Sequence, residues 1–477
     1  MYLDEYARCD GLELAQLIRQ KKVSHIEIVK LASKAIDSMN KGLNFLAHKT
    51  EKEMKMSLEN IDYSRKFCGV PTLIKDTEIR GQPFELGSRI GIEVEPDSDS
   101  EMTTRLKQSG VTIMGISTMP EWGGSPTTES ILYGATRNPW NVDYIAGGSS
   151  GGAAAAVASG VVPFAHASDA GGSIRIPASC CGVVGLKPTR ARTPGAQFMP
   201  FSPGVGHIIS RSVRDTAAML DSIHGNETGA IYSLASPNCS YLNSVKSPIK
   251  QLKIAYTTVS PSGSTVDKEN IEAVEKTIKH LELLGHCVNE IQLPYGWEAL
   301  FDSFIDLWSF RHPHNAELFE KFHQKQTNSS TKEANNLAML EHAKSLSISN
   351  FDKSLRRLGQ ICIDVATFFE KYDVFVSPVT TTPPLKIGAF QSNAPDLTVT
   401  SWTKQALSNF SPFTPIFNIT GQPAISLPIH HSKQGLPIGV QIAGKYGDEE
   451  TLIKLAGLFE RDLPWAERFP PASIFTS

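Results

Sequence analysis

Two glycine–serine clusters restrict this chain more than any other feature of its 477 residues. Residues 147–152 read GGSSGG, residues 169–177 read DAGGSIRIP, and the small-residue run AAAAVASG follows the first cluster. Glycine opens backbone conformations closed to other residues and lets two chain segments approach closely. A phosphate-binding loop of the form G-x-x-x-x-G-K-[ST] is excluded, because no lysine follows these glycines. Gly147-x-Ser149-x-Gly151 fits the nucleophile-elbow pattern, but an elbow needs a strand before it, and NPWNVDYIA has the wrong character for one. It also needs a histidine partner, and sequence alone places none of the thirteen histidines. A plain structural alternative stays open: glycines for a tight turn, serines capping the next helix.

The second cluster adds chemistry. Gly171 and Gly172 precede Ser173, and consecutive glycines let backbone N–H groups converge without side chains in the way, as an oxyanion hole requires. A serine placed there needs a base, and a lysine serves if burial keeps it neutral. Lys75 ends the apolar run CGVPTLIKD (68–76), where desolvation is expected. Two S-x-x-K matches, Ser247/Lys250 and Ser329/Lys332, fall in polar segments and read as chance.

Bulk properties remove other classes. A net charge of −3 gives no footprint for nucleic acid or an acidic membrane. The N-terminus has no apolar core of a signal peptide, and the stretch 151–172 is broken by Pro163 and carries His166 and Asp169, against a membrane span. Seven cysteines without a C-x-x-C pair argue against zinc ribbons and for reduced thiols in the cytoplasm. The histidine-rich SFRHPHN (309–315) lacks a suitably spaced carboxylate, so no metal and no cofactor is expected. Apolar neighbours make Cys180 and Cys181 packing residues.

The hydrophobic pattern predicts helices over 11–40 (capped by Ser24), 99–109, 213–224 and 266–285, and mostly helix over 296–372 with a flexible insert at 324–336. Strands are expected at 68–76, 111–117, 252–256, 287–293 and 372–384, followed by two adjacent strands in GQPAISLPI and GLPIGVQIAGK. This alternation implies an α/β fold with a mostly parallel sheet. No repeat and no linker interrupts the chain, so one domain is expected over 1–477: N-terminal helices to residue 66, a catalytic core over 67–222, and a C-terminal part with a variable helical substrate region over 223–477.

The whole segment 147–189 resembles the signature of the amidase signature family, as do GVPTLIKD around Lys75, TRNPW (136–140), NITGQPAISLP (418–428) and GLPIGVQIAG (435–444), in the family's order. The resemblance implies a single large α/β domain around a mixed, mostly parallel sheet of about eleven strands. It further implies a Ser–cis-Ser–Lys triad with Ser173 as nucleophile, Ser149 as the bridging serine after a cis peptide, and Lys75 as the base. The amides of Ala170, Gly171, Gly172 and Ser173 would form the oxyanion hole. Ser150, Asp169 and Arg175 would support the triad, with plain surface charge as the competing reading of Asp169 and Arg175. The loop Glu121, Trp122, Gly123 and Gly124 would contact substrate, Trp122 being alternatively a core residue. The run TMPEWGGSPTTESILYGATRNPWN resembles the branch of 6-aminohexanoate-cyclic-dimer hydrolases. It points to a small-molecule linear or cyclic amide and to no nucleic acid or membrane partner, with a homodimer as a further expectation. The alternative is a glutamyl-tRNA(Gln) amidotransferase A-type subunit, which Ala170 and Ile176 disfavour, since such subunits usually carry threonine and glutamine there.

Overall fold

The computed structural model describes residues 1–195, 202–323 and 325–475. Eleven strands build its two main sheets. In chain order these are β1 Leu46–Lys49, β2 Pro71–Ile74 and β3 Thr112–Ser117, then helix α1 Gly151–Ala158, β4 Phe164–Asp169, helix α2 Arg175–Cys181, β5 Val184–Lys187 and β6 Val205–Ser210. β7 Lys253–Tyr256 and β8 Cys287–Glu290 precede the helices α3 Trp297–Ser309, α4 His312–His323, α5 Ala334–Ser345 and α6 Ile348–Lys371. β9 Val374–Pro378, helix α7 Val399–Thr403, β10 Ala424–His431 and β11 Pro437–Gly444 complete the set.

One sheet runs β1-β3-β2 and the other β8-β7-β9-β11-β10-β5-β6-β4. β2 lies against the outer edge of β4, where Thr72 Oγ1 donates to the Phe164 carbonyl at 3.1 Å. The sheet system is mixed, but the expected parallel bias is absent: β7 pairs in parallel with β8 and β9, and β2 with β3, while the other six pairs are antiparallel. The physical reason is that burial on both faces, which reads as parallel in a sequence, here comes from helices covering antiparallel strands. All eight residues of β11 are buried, although the short connection from β10 can only make a hairpin.

Alternation along the strands divides the core into two layers. Ile254, Val374, Val376, Val440 and Ile442 pack with Val274, Ile278 and Leu281 of the 268–283 helix and with Leu452 and Ile453. Their neighbours Ala255, Phe375 and Ala443 face Phe304, Leu307, Val365 and Phe368 of α3 and α6. A third cluster holds β2, β3 and α1, whose eight residues are all buried. Only a helix this poor in side-chain volume fits there: an added Cβ on Gly152 would lie 2.5 Å from Thr118 Oγ1.

The structure corrects several boundaries. Residues 11–40 form two helices, Gly11–Arg19 and His25–Leu43, with Ser24 Oγ accepting the Glu27 N–H at 3.1 Å. The N-terminal part also holds β1, a short half-buried strand without a clear periodic signal. The insert read as flexible is anchored at its end: Lys332, Glu333, Asn335 and Asn336 are buried, the last two inside α5. Its residue 324 lies outside the described residues. Among the described residues no helix is long and apolar enough to cross a membrane.

Candidate active site

Lys75 directly follows β2, at the seam between the two sheets, and is wholly buried. Its Nζ donates to Ser149 Oγ at 2.8 Å and to Ser168 Oγ at 2.9 Å, and the Asp76 carboxylate lies 3.5 Å away. Ser168, on β4, in turn donates to Asp76 Oδ2 at 2.5 Å. Burial pushes the Lys75 amine below the ordinary lysine value, and Asp76 and Asp169 pull it only part of the way back. Ser149 follows a cis peptide from Gly148. The loop is pressed against residues 126–127, so that a Cβ on Gly148 would lie 2.6 Å from the Thr127 amide nitrogen.

Ser173 sits in the turn between β4 and α2 and is 8 % exposed. The Ser150 N–H donates to the Ser173 carbonyl at 3.3 Å, tying the two glycine clusters together, and Ser150 Oγ donates to the Ser168 carbonyl at the same distance. Asp169 and Arg175 are completely buried, which excludes surface charge. Arg175 Nε and Nη2 reach the two Asp169 oxygens at 2.9 Å each. The guanidinium also donates to Gln441 Oε1 at 2.7 Å, Asn418 Oδ1 at 2.6 Å and the Thr414 carbonyl at 3.0 Å. Burial alone would raise the Asp169 carboxyl, but the guanidinium outweighs it and holds the carboxyl well below the usual range.

Asp169 organises the turn as well. Its oxygens accept N–H groups from Gly172 at 2.8 Å and Ile174 at 3.1 Å. This corrects one expectation: the Gly172 amide is spent on the carboxylate, which leaves those of Ala170, Gly171 and Ser173 as the expected oxyanion donors that Asp169 does not hold. Gly172 has φ +131°, and a Cβ there would fall 2.4 Å from Thr414 Oγ1.

A cavity opens beside Ser173. Gly148, Gly171, Phe304, Ile305, Trp308 and Trp402 are among its lining residues, and among the described residues no charged side chain lines it. Gly123 and Gly124 of the expected substrate loop line it, but Glu121 and Trp122 do not. Glu121 turns into a polar nest, accepting from Ser88 Oγ at 2.6 Å, the Glu333 N–H at 2.8 Å and Asn336 Nδ2 at 2.9 Å. Trp122 packs on His312 and Phe319 with the Lys332 ammonium over its ring; it is half-buried and belongs to no core cluster, so it matches neither the cavity wall nor the core alternative. The reason is local: Trp122 takes φ 53°, which swings its side chain off the cavity wall. Lys332, read as lying in a polar loop, is buried, and that burial lowers its amine to about 7.

Sequence reasoning missed Asp76, Ser168, Thr414, Asn418 and Gln441. One signal was available: Gln441 is the single polar side chain in the run PIGVQIAG, and a polar residue in a buried strand calls for a partner.

The Amidase family model matches residues 27–453 of this chain. The "Putative amidase AmiC" of Mycobacterium leprae is 33% identical over 470 residues, covering 97% of each chain. The 6-aminohexanoate-cyclic-dimer hydrolase of Paenarthrobacter ureafaciens is 33% identical, covering 97% of this chain and 96% of its own. A solved structure of 6-aminohexanoate cyclic dimer hydrolase superposes with a TM-score of 0.91 at 30% identity, covering 98% of this chain and 99% of the other. On this agreement of sequence and fold, the chain belongs to the amidase signature family and is an amide-cleaving hydrolase.

Proposed function

We propose that this enzyme hydrolyses small neutral carboxamides, linear or cyclic and of the 6-aminohexanoate-dimer type, through an acyl-enzyme on Ser173. The observation that carries the reading is a buried lysine amine 2.8 Å from the hydroxyl of Ser149. In its neutral form Lys75 Nζ accepts the Ser149 proton while Ser149 Oγ accepts that of Ser173, whose oxygen attacks the amide carbon. The amides of Ala170, Gly171 and Ser173 hold the oxyanion. As the C–N bond breaks, the proton returns through Ser149 to the leaving nitrogen. Water then repeats the relay on the ester, releasing the carboxylic acid and restoring Ser173.

The lining supports the substrate class. An ionised group entering an apolar cavity without a countercharge would lose its hydration uncompensated. That favours a neutral amide over a charged amide donor such as glutamine, and transamidation is not favoured. Free, mostly buried cysteines fit the cytoplasm. A fluorophosphonate probe tests the assignment: it should label Ser173, and Lys75→Ala should nearly abolish labelling and hydrolysis of the cyclic dimer. An adduct on Ser149 would overturn the roles.

A further inference from the structure

Ser309 ends α3 and lines the cavity, yet its fully buried hydroxyl has no hydrogen-bond partner among the described groups. A serine in a helix commonly returns its hydroxyl to the carbonyl four residues back. Ser159 and Ser222 do so here, at 2.8 Å each. Ser309 does not bond the corresponding Ile305 carbonyl. Two other hydroxyls of the lining are engaged: Ser411 donates to the Ala406 carbonyl at 3.0 Å, and Ser125 accepts the Thr127 N–H at 3.3 Å. Buried polar groups in native proteins are paired, so an unpaired one in a ligand cavity asks for its partner from the ligand.

We propose that Ser309 is a specificity-determining residue whose hydroxyl bonds a second, neutral amide of the substrate while the first lies at Ser173. The proposal rests on the amidase reading and deepens it. The end of α3 faces the reacting turn: a Cβ on Gly171 would lie 3.4 Å from Phe304 Cζ and 3.8 Å from Trp308 Cζ3. Phe304, Ile305 and Trp308 line the same cavity as Ser173 and Ser309 and give it an apolar wall suited to a methylene spacer. A hydroxyl both donates and accepts, so it pairs with either the carbonyl or the N–H of an amide. With no charged side chain among the described lining residues, a carboxylate or ammonium at that end of the substrate would be unpaired. The substrate class is therefore a diamide with an aliphatic spacer.

The test compares two chromogenic substrates of equal length with one leaving group: 6-acetamidohexanoyl p-nitroanilide, which carries the second amide, and nonanoyl p-nitroanilide, which does not. The ratio of their kcat/KM values should fall about 5- to 10-fold in Ser309→Ala, the effect of one hydrogen bond. Ser303→Ala is the control. Ser303 lies on the same helix, is equally buried and unpaired, but is outside the cavity lining, so the ratio should hold within about twofold. Tm should not fall in Ser309→Ala, because the variant removes an unpaired polar group. A ratio unchanged in Ser309→Ala, or shifted equally by both variants, overturns the inference alone. A wild-type protein that cleaves neither anilide and is not labelled at Ser173 overturns the amidase roles and this inference with them.

Discussion

Replacing Arg175 by methionine asks whether the buried ion pair builds the turn that carries Ser173. Methionine fills much of the same volume but removes two 2.9 Å bonds to Asp169 and three further bonds, to Gln441, Asn418 and Thr414. The Asp169 carboxylate then stays fully buried without its countercharge. Removing one partner of a buried pair costs about 3–5 kcal/mol, against a total stability of about 5–15 kcal/mol for a folded domain. The pH dependence sharpens the test. With arginine present the folded Asp169 carboxyl is depressed, so its contribution is complete at neutral pH and is lost only as pH falls through that low folded value. Without arginine, burial raises the carboxyl above its unfolded value, and protonation then relieves the folded state. The deficit of the variant should therefore shrink between pH 7 and pH 5. Urea unfolding of wild type and variant at both pH values measures it, with fluorophosphonate labelling reporting the turn. A deficit below about 1 kcal/mol, or one that grows as pH falls, would refute the reasoning.

Other outcomes are expected. The rise of kcat/KM with pH should follow deprotonation of Lys75, and Asp76→Asn, by removing a charge that favours the ammonium, should move that limb to lower pH; a pH–rate profile with an unmoved limb would show that Asp76 does not tune the base. Gly172→Ala should lose about 1–3 kcal/mol to backbone strain alone, and more to the contact with Thr414, read as a lower urea midpoint and slower labelling. Glu121→Gln should leave the preference among amides unchanged in a hydrolysis screen, since its carboxylate faces Ser88 and Asn336 rather than the cavity.

The residues proposed to react stood out because each sits in a local pattern, Lys75 at the end of an apolar strand and Ser149 and Ser173 among glycines, while their separate roles came from the family resemblance. What supports them was not legible. Thr414, Asn418 and Gln441 lie more than two hundred residues from Arg175 and meet it only through the pairing of β10 and β11 with the rest of the sheet. The same holds for Lys332, whose polar neighbours in sequence gave no hint that it folds over Trp122. The loop expected to contact substrate places Gly123 and Gly124 on the cavity but not Trp122, the residue expected to form its apolar wall, which takes a positive φ. Strand positions were readable from apolar runs. Their relative directions were not, because helices cover antiparallel strands on both sides.

The alanine-filled helix α1 has no room to accept larger residues, and the acid–base apparatus leans on it. The cavity takes much of its shape from separate stretches, 304–309, Met339 and 399–411. Natural drift and laboratory libraries confined to those stretches can therefore explore new amides while the bond-breaking apparatus stays fixed. Libraries reaching into 147–158 would mainly return unfolded chains.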